Sequence, residues 1–275
     1  MFSAKLLESN NGLNWTTTIN WAKNKDVVNQ LYGGLTQYQI SPGFGGCVTM
    51  GIPGQEWGSL WGLPYVRDPK NGNKIVVGSD GLPLSTNVAK NFGSVTPDWV
   101  GGINNSFTYK NFNFSFLIDA KWGGKFFSCT AWHSYPTGTF TVTTANHVRE
   151  NGLIVDAVKQ DGSRNDIRVS AQDYFGAANG WVWNNHEYSI LNGTYVKLRE
   201  VILGYDINVR NLHWIQKLNV SVFGRNLAIL YRDQSTRLFG IDPEVGMGGG
   251  EYGVGFENFQ IPTTRNYGFK LSVKF

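Results

Sequence analysis

The last eleven residues, Arg265-Asn266-Tyr267-Gly268-Phe269-Lys270-Leu271-Ser272-Val273-Lys274-Phe275, alternate without a break. Tyr267, Phe269, Leu271, Val273 and Phe275 hold every odd position, and Asn266, Gly268, Lys270, Ser272 and Lys274 every even one. Strand side chains alternate between two faces, so the segment predicts a strand with one apolar, aromatic face and one polar face. A soluble sheet edge rarely finishes on such an uncovered stripe. A barrel strand in a bilayer does, because lipid covers the apolar face and water fills the lumen. The closing strand of a soluble β-sandwich shares the alternation, and this segment alone leaves both open.

The same pattern recurs as hairpins. Phe2, Ala4 and Leu6 alternate, Asn10-Asn11-Gly12 turns, and Leu13, Trp15, Thr17, Ile19 and Trp21 alternate again. Asn and Gly tolerate the positive φ that a tight turn needs. In mid-chain, Ile103, Phe107 and Tyr109 share a parity, Lys110-Asn111 turns, and Phe112, Phe114, Phe116, Ile118, Ala120 and Trp122 share one face. Their neighbours Asn113, Ser115, Asp119 and Lys121 are polar, with Leu117 the exception. That run spans about 11 residues, the length of a tilted membrane strand, and it makes Phe112, Phe114, Phe116 and Ile118 lipid-facing. Trp99 and Trp122 are expected near the two interfaces, as an aromatic belt; a long half-buried strand of a soluble barrel is the alternative. Residues 194–207 change parity, from Val196 and Leu198 to Val201, Leu203 and Tyr205, which a bulge near Arg199-Glu200 or a strand projecting beyond the bilayer explains. Residues 217–231 alternate through Leu218, Val220 and Val222 and lose phase at Gly224-Arg225-Asn226. Helical turns are expected only at 145–150 and 170–175.

Composition narrows the class. The chain holds 34 Gly, 10 Trp, 12 Tyr and 17 Phe against 16% charged residues, which fits a large β protein with interfacial rings and excludes a disordered chain. There is no run of 18 apolar residues for a membrane helix. The net charge of +4 is spread out, with no basic cluster for nucleic acid. Cys47 and Cys129 are too few for a disulfide scaffold; two unpaired thiols in separate loops are expected, with a single bridge left open. His133, His147, His186 and His213 lack metal-ligand spacing, so neither metal nor cofactor is expected. Met247-Gly248-Gly249-Gly250 has no phosphate-binding context and is expected to be a flexible loop tip. Asp242 and Glu244 suggest a carboxylate pair for glycoside hydrolysis, but acids at i, i+2 without a pocket are more often turn and rim residues. Met1 to Glu8 shows neither an apolar core nor a cleavage site of a signal peptide, so the chain is expected to begin inside a hairpin of something longer. Connections are unequal: 10–12, 110–111 and 208–216 are short, whereas 32–93, 123–193 and 232–262 are long and rich in Gly, Trp and Tyr, the asymmetry of outer-membrane barrels.

Several segments in order resemble the C-terminal barrel portion of the SusC/RagA family of TonB-dependent outer-membrane transporters. They are TPDWVGG at 96–102, NSFTYKNFNFSF at 105–116, TYVKLREVILGY at 194–205, VFGRNL at 222–227, IDPEVG at 241–246 and FENFQIPTTRNYGFKLSVKF at 256–275. DPKNGNKIVVGSDGLPL at 68–84 resembles a loop of that family less specifically. The resemblance covers essentially the whole chain, most firmly from about residue 94. It implies an all-β fold, an antiparallel transmembrane β-barrel segment of roughly eight to ten strands from a barrel of about 22, with long extracellular loops. It also implies import of oligosaccharides or peptides, energised through TonB, with a SusD-like lipoprotein seated on the loops. The plug, the TonB-interacting segment and the signal peptide are expected to lie outside residues 1–275, so TonB is reached only through that missing N-terminal region.

Three roles follow from the resemblance. Tyr267, Phe269, Leu271, Val273 and Phe275 resemble the signal read by the barrel-assembly machinery. Trp57, Trp61, Tyr65, Trp181 and Trp183 are candidate contacts to the lipoprotein or to sugar rings, with loop self-packing as the alternative. Asn113, Ser115, Asp119 and Lys121 line either the substrate path or the plug. A secreted carbohydrate-binding module and a small autonomous membrane barrel remain the competing classes.

Overall fold

The computed structural model describes residues 1–10, 12–178, 185–209, 214–244, 246 and 254–275. Seven strands form one antiparallel sheet: β1 (Phe2–Leu7), β2 (Leu13–Ala22), β3 (Pro97–Tyr109), β4 (Phe112–Gly123), β5 (Tyr195–Ile207), β6 (Lys217–Arg232) and β7 (Asn266–Lys274). Each pairs only with its neighbours in sequence, so the sheet is an up-and-down meander. The chain is thus an all-β, antiparallel partial barrel with long loops. Seven strands is fewer than the eight to ten expected, because the remaining extended segments make small separate sheets in the loops.

Register turns the alternation of each strand into two continuous faces. Leu13, Tyr109, Phe112, Tyr205, Val220 and Leu271 stand in one cross-strand row. Trp15, Phe107, Phe114, Leu203, Val222 and Phe269 make the next row on the same face. On the opposite face, Asn14, Thr108, Asn113, Gly204, Ser221 and Lys270 make a polar row. Because the side-chain period is two, a slip of one residue in any strand would mix the faces. Aromatic contacts reinforce the register: Trp15 stacks on Phe107 at 5.5 Å, and Phe107 on Phe114 at 6.0 Å. On the polar face, Gly268 leaves room for a ring; a Cβ there would sit 2.5 Å from Cζ of Phe223.

The apolar face is uncovered by the described chain. Phe269 is 80% and Leu271 59% exposed. All four buried apolar clusters lie instead in the three long connections. There, residues of different loops share sheets: Phe127 and Ser128 pair in parallel with Phe256 and Glu257, and Val158 and Lys159 with Val76 and Val77. Cys47, Leu60, Phe127, Cys129, Trp132 and Phe256 draw one core from all three loops. The loops are a folded body, and its short helices Cys129–Ser134 and Gln234–Leu238 had no periodic signal long enough to read. The helical turns expected near 145–150 and 170–175 are present, at Ala145–Asn151 and Asp173–Ala178.

Local irregularities fall where parity breaks. Pairing steps from Leu117↔Glu200 to Ile118↔Leu198, which leaves Arg199 as the bulged residue. Across β5 and β6, pairing steps from Leu198↔Ala228 to Glu200↔Arg225, and the skipped Asn226 has φ +52°. Asn accepts this left-handed conformation better than branched residues do. Near the first hairpin, a register shift between Lys5 and Leu7 sets Leu7 opposite Trp15, so Leu6 does not continue the Phe2, Ala4 stripe as expected. The turn after it includes Asn11, outside the described residues, as is the glycine run 247–250.

Trp99 and Trp122 do not mark opposite ends of the sheet. They pair directly and stack at 6.1 Å, because a hairpin brings its entry and exit to the same end. Tyr231 stacks on Trp122 at 5.9 Å, and this aromatic band lies beside the loop body. Tyr109, Phe112 and Tyr205 occupy the turn end, where Trp214 also stacks on Phe275 at 5.7 Å.

Asn226 gives a test of the bulge. Asn226→Val should destabilise the sheet by about 1–2 kcal/mol more than Asn226→Gly, since a branched residue resists positive φ. Urea unfolding in detergent micelles measures the difference, and equal losses would remove the backbone argument.

Candidate functional site

Three loops can act together only if something binds them to one another. Buried polar groups do so. His186 is 1% exposed, and its Nδ1 accepts the Leu63 N–H at 2.8 Å. With Nδ1 an acceptor, Nε2 carries the proton and donates to the Gly45 carbonyl at 2.9 Å. Burial holds this imidazole below its usual pKa, against the opposing pull of the Gly45 carbonyl. The next residue, Glu187, accepts from Tyr65 N–H at 3.0 Å and pairs with Arg67 at 2.5 Å. Thus residues 186–187 of the second long loop hold both ends of the 63–67 segment in the first. Glu257 of the third loop accepts from the Ser128 and Thr130 hydroxyls, each at 2.5 Å.

A second cluster fastens the third loop to the polar face of the sheet. Lys197 of β5 donates to Asp242 and to Glu244, both at 2.7 Å, with its side chain 2% exposed. Arg199, displaced by the bulge, pairs with Asp119 of β4 and with Glu244 at 2.8 Å. Its Nη1 also donates to Asn226 Oδ1 at 2.7 Å. Asp242 further accepts from the Thr263 hydroxyl at 2.6 Å. Burial by itself would raise the Asp242 carboxyl, but hydrogen bonds from Lys197, Thr263 and the Glu244 amide hold it below the usual carboxylate value. Burial is likewise outweighed at Glu244 by hydrogen bonds from Arg199 and Lys197. Both acids therefore stay ionised and committed to cations, which makes neither a source of protons for glycoside cleavage.

The candidate loop contacts separate. Trp57 is exposed and stacks on exposed Tyr38 at 6.2 Å. Trp61 is half-buried and its Nε1–H donates to Ser59 at 3.1 Å. Tyr65 is buried, and that burial pushes its phenol well above its ordinary pKa. Trp181 and Trp183 lie outside the described residues. On the sheet, Phe112, Phe114, Phe116 and Ile118 share the outward face with Tyr267, Phe269 and Leu271. Val273 stands opposite Leu218, and Phe275 follows the end of β7. Asn113, Ser115, Asp119 and Lys121 share the polar face. Cys47 and Cys129 are free, buried thiols in separate loops; burial raises both, Cys129 to about 12.

Sequence reasoning missed His186, Glu187, Glu257 and the Lys197 cluster. A histidine or an acid inside a loop carries no periodic signal, and its partners lie 45 to 141 residues away. The parity break at Arg199, the acid pair Asp242 and Glu244 and the polar-face Asp119 were each legible, but nothing in the sequence joined them to Lys197.

An apolar outer face, a polar inner face and interlocked loops at one end define a segment of a β-barrel wall with a folded cap. No family model matches the chain, and no curated protein matches it in sequence. Solved structures do match in fold. The RagAB peptide transporter superposes with a TM-score of 0.62 at 16% identity, over 98% of this chain and 28% of that chain. The RagAB peptide importer gives 0.62 at 18% in its open-open state, over 99% and 28%, and 0.61 at 16% in its closed-closed state, over 98% and 28%. The chain therefore spans less than a third of the length of these transporter chains, and at this identity the likeness is one of fold.

Two outcomes follow from the buried groups. Lys197→Met should cost about 3–5 kcal/mol, because Asp242 loses its buried cation, and the double variant with Asp242→Asn should recover part of that loss. Urea unfolding of the single and double variants in micelles decides it, and equal stability of Lys197→Met and the parent would contradict the coupling. For His186 the unfolded chain takes a proton near pH 6.5 while the folded imidazole resists it. Its stabilising effect is therefore present above about pH 6.5 and declines as pH falls below that value. Exchange of the Leu63 amide, corrected for intrinsic rate, should accelerate on acidification in the parent, whereas in His186→Phe it should be fast at every pH.

Proposed function

We propose that this chain is a wall segment and loop cap of an outer-membrane nutrient importer of the SusC/RagA type. The observation that carries this reading is the continuous apolar face of the sheet, left uncovered by the described residues. Burying apolar surface drives folding, so a face of this extent needs a cover. Lipid supplies one: Phe112 to Trp122 spans about 33 Å of strand, and a tilt of about 45° brings that to the roughly 25 Å apolar band of an outer-membrane barrel. The stacks of Trp99, Trp122 and Tyr231 at one end, and of Trp214 and Phe275 at the other, suit the two interfaces. In this reading Phe112, Phe114, Phe116 and Ile118 face lipid. β1 and β7 each have one unpaired edge among the described residues. Hydrocarbon cannot satisfy such edges, so further strands of a larger barrel would pair with them.

A secreted sandwich module is disfavoured, because a second sheet would have to cover the apolar face. A small autonomous barrel is disfavoured by the unpaired edges of β1 and β7. The rest of the importer reading extends from the resemblance and from the fold of the RagAB chains. Cargo is an oligosaccharide or a peptide, and energy arrives from TonB through a plug beyond this chain. A SusD-like lipoprotein docks on the loop body, with the exposed Trp57 and Tyr38 pair as one contact. The alternating aromatic strand ending at Phe275 serves as the signal for the barrel-assembly machinery.

Placing a lysine on each face tests the membrane assignment. Phe114→Lys should abolish or strongly reduce recovery in the outer-membrane fraction, at a cost of about 2–4 kcal/mol for a charge near mid-bilayer. Ser115→Lys, one residue away on the polar face, should be recovered nearly as well as the parent. Recovery of the parent in the soluble fraction, or equal tolerance of both lysines, would sink the reading.

A further inference from the structure

Four cations and three carboxylates gather where the polar face of the sheet meets the loop body, and they do not pair off evenly. Lys197 and Arg199 engage Asp119, Asp242 and Glu244. Lys121 and Lys125 make no close ion pair among the described residues, although Glu244, Asp242 and Asp119 act on Lys121 from farther off. Lys121 Nζ donates to the Pro243 carbonyl at 2.9 Å and lies 5.4 Å from the Tyr195 ring centroid, which leaves it two further protons. Lys125 begins the strand Lys125–Ser128, and its backbone is fixed opposite Asn192. Both lysines line a cavity of about 400 Å³, together with Pro243 and Glu244 of the third loop. Its other walls include Gly124, Gly193, Val95 and Phe126. Among the described residues Glu244 is the one acid that lines this cavity, and Lys197 and Arg199 already engage its oxygens.

We propose that this cavity binds a carboxylate of the cargo, with Lys121 and Lys125 as its ligands. Small apolar and glycine walls admit a short chain, and two ammonium groups that make no close ion pair among the described residues favour an anion at its tip. The cavity volume suits one residue or one sugar ring better than a whole domain. The carboxylate is the shared chemistry of an acidic peptide and of a uronic-acid sugar. The word cargo rests on the importer reading; the carboxylate site itself does not.

Calorimetry on the purified full-length protein that contains this chain, in detergent micelles, tests the site. The probes are N-acetyl-Gly-Glu-Gly-amide against its Gln counterpart, and digalacturonic acid against its dimethyl ester. At least one acidic probe should bind about tenfold or more tightly than its neutral twin, a difference of about 1.4 kcal/mol. Lys125→Gln should remove most of that preference, and Lys125→Arg should keep it. Whichever acidic probe shows the preference identifies the source of the carboxylate. Equal binding of acid and neutral probes, no binding of any probe, or an undiminished preference in both Lys125→Gln and Lys121→Met would overturn the proposal. Acid-selective binding without acid-selective uptake by cells would leave the site standing and refute the importer reading instead.

Discussion

A sheet that turns a continuous apolar face away from the loop body needs that face covered by something beyond the described residues. That constraint organises the molecule. In a water-soluble domain of this size the longest strands would pack around the core. Here the strands contribute almost nothing to the buried apolar clusters, which lie in the connections. Among the described residues the sheet has no opposing layer, so backbone hydrogen bonding between neighbouring strands and the outward apolar rows define it. Register then matters more than packing, because a slip by one residue would turn Phe, Leu and Val toward the polar side.

With its core displaced into the loops, the chain has to couple two bodies of different physics. Within the loop body, short strands from separate loops pair, and His186, Glu187 and Glu257 supply long-range polar ties. Between the loop body and the wall, the bulge at Arg199 and the positive φ of Asn226 turn an extra side chain into the polar side. Bulges re-aim side chains at some cost in pairing, and here the re-aimed guanidinium holds Asp119 and Glu244 together. A buried pair of this kind adds little net stability over apolar packing, but losing one partner is costly, which ties the third loop to this position. Position is what a loop body seated at one end of the sheet requires, since the third loop has to sit against one part of the wall and no other.

Much of the wall was legible in the sequence. Apart from Leu117, Phe112 to Trp122 alternates, as does Tyr267 to Phe275, and the observed rows bring Phe112, Phe114, Phe116 and Ile118 onto one face with Tyr267, Phe269, Leu271 and Val273. The parity break in 194–207 located the bulge at Arg199. Trp99 and Trp122 were misplaced because alternation gives the face of a residue and not its height; pairing across the hairpin sets that. The tryptophans and tyrosine of the first loop looked equivalent in sequence, yet Trp57 is exposed and Tyr65 is buried. Local pattern does not distinguish an exposed ring from a core ring where no period exists.

The division has a physical cause. Strand period, turn residues and the balance of aromatic to charged residues are local properties, and they determined an antiparallel sheet with one apolar face, short turns at one end and long loops at the other. Which groups meet across those loops is a long-range property. His186 with Gly45, Lys197 with Asp242 and the unmatched Lys121 and Lys125 exist only once the strands bring distant segments together. Coulomb and hydrogen-bond energies depend on distance and burial, and neither quantity is written along the chain. Tertiary structure alone decided them.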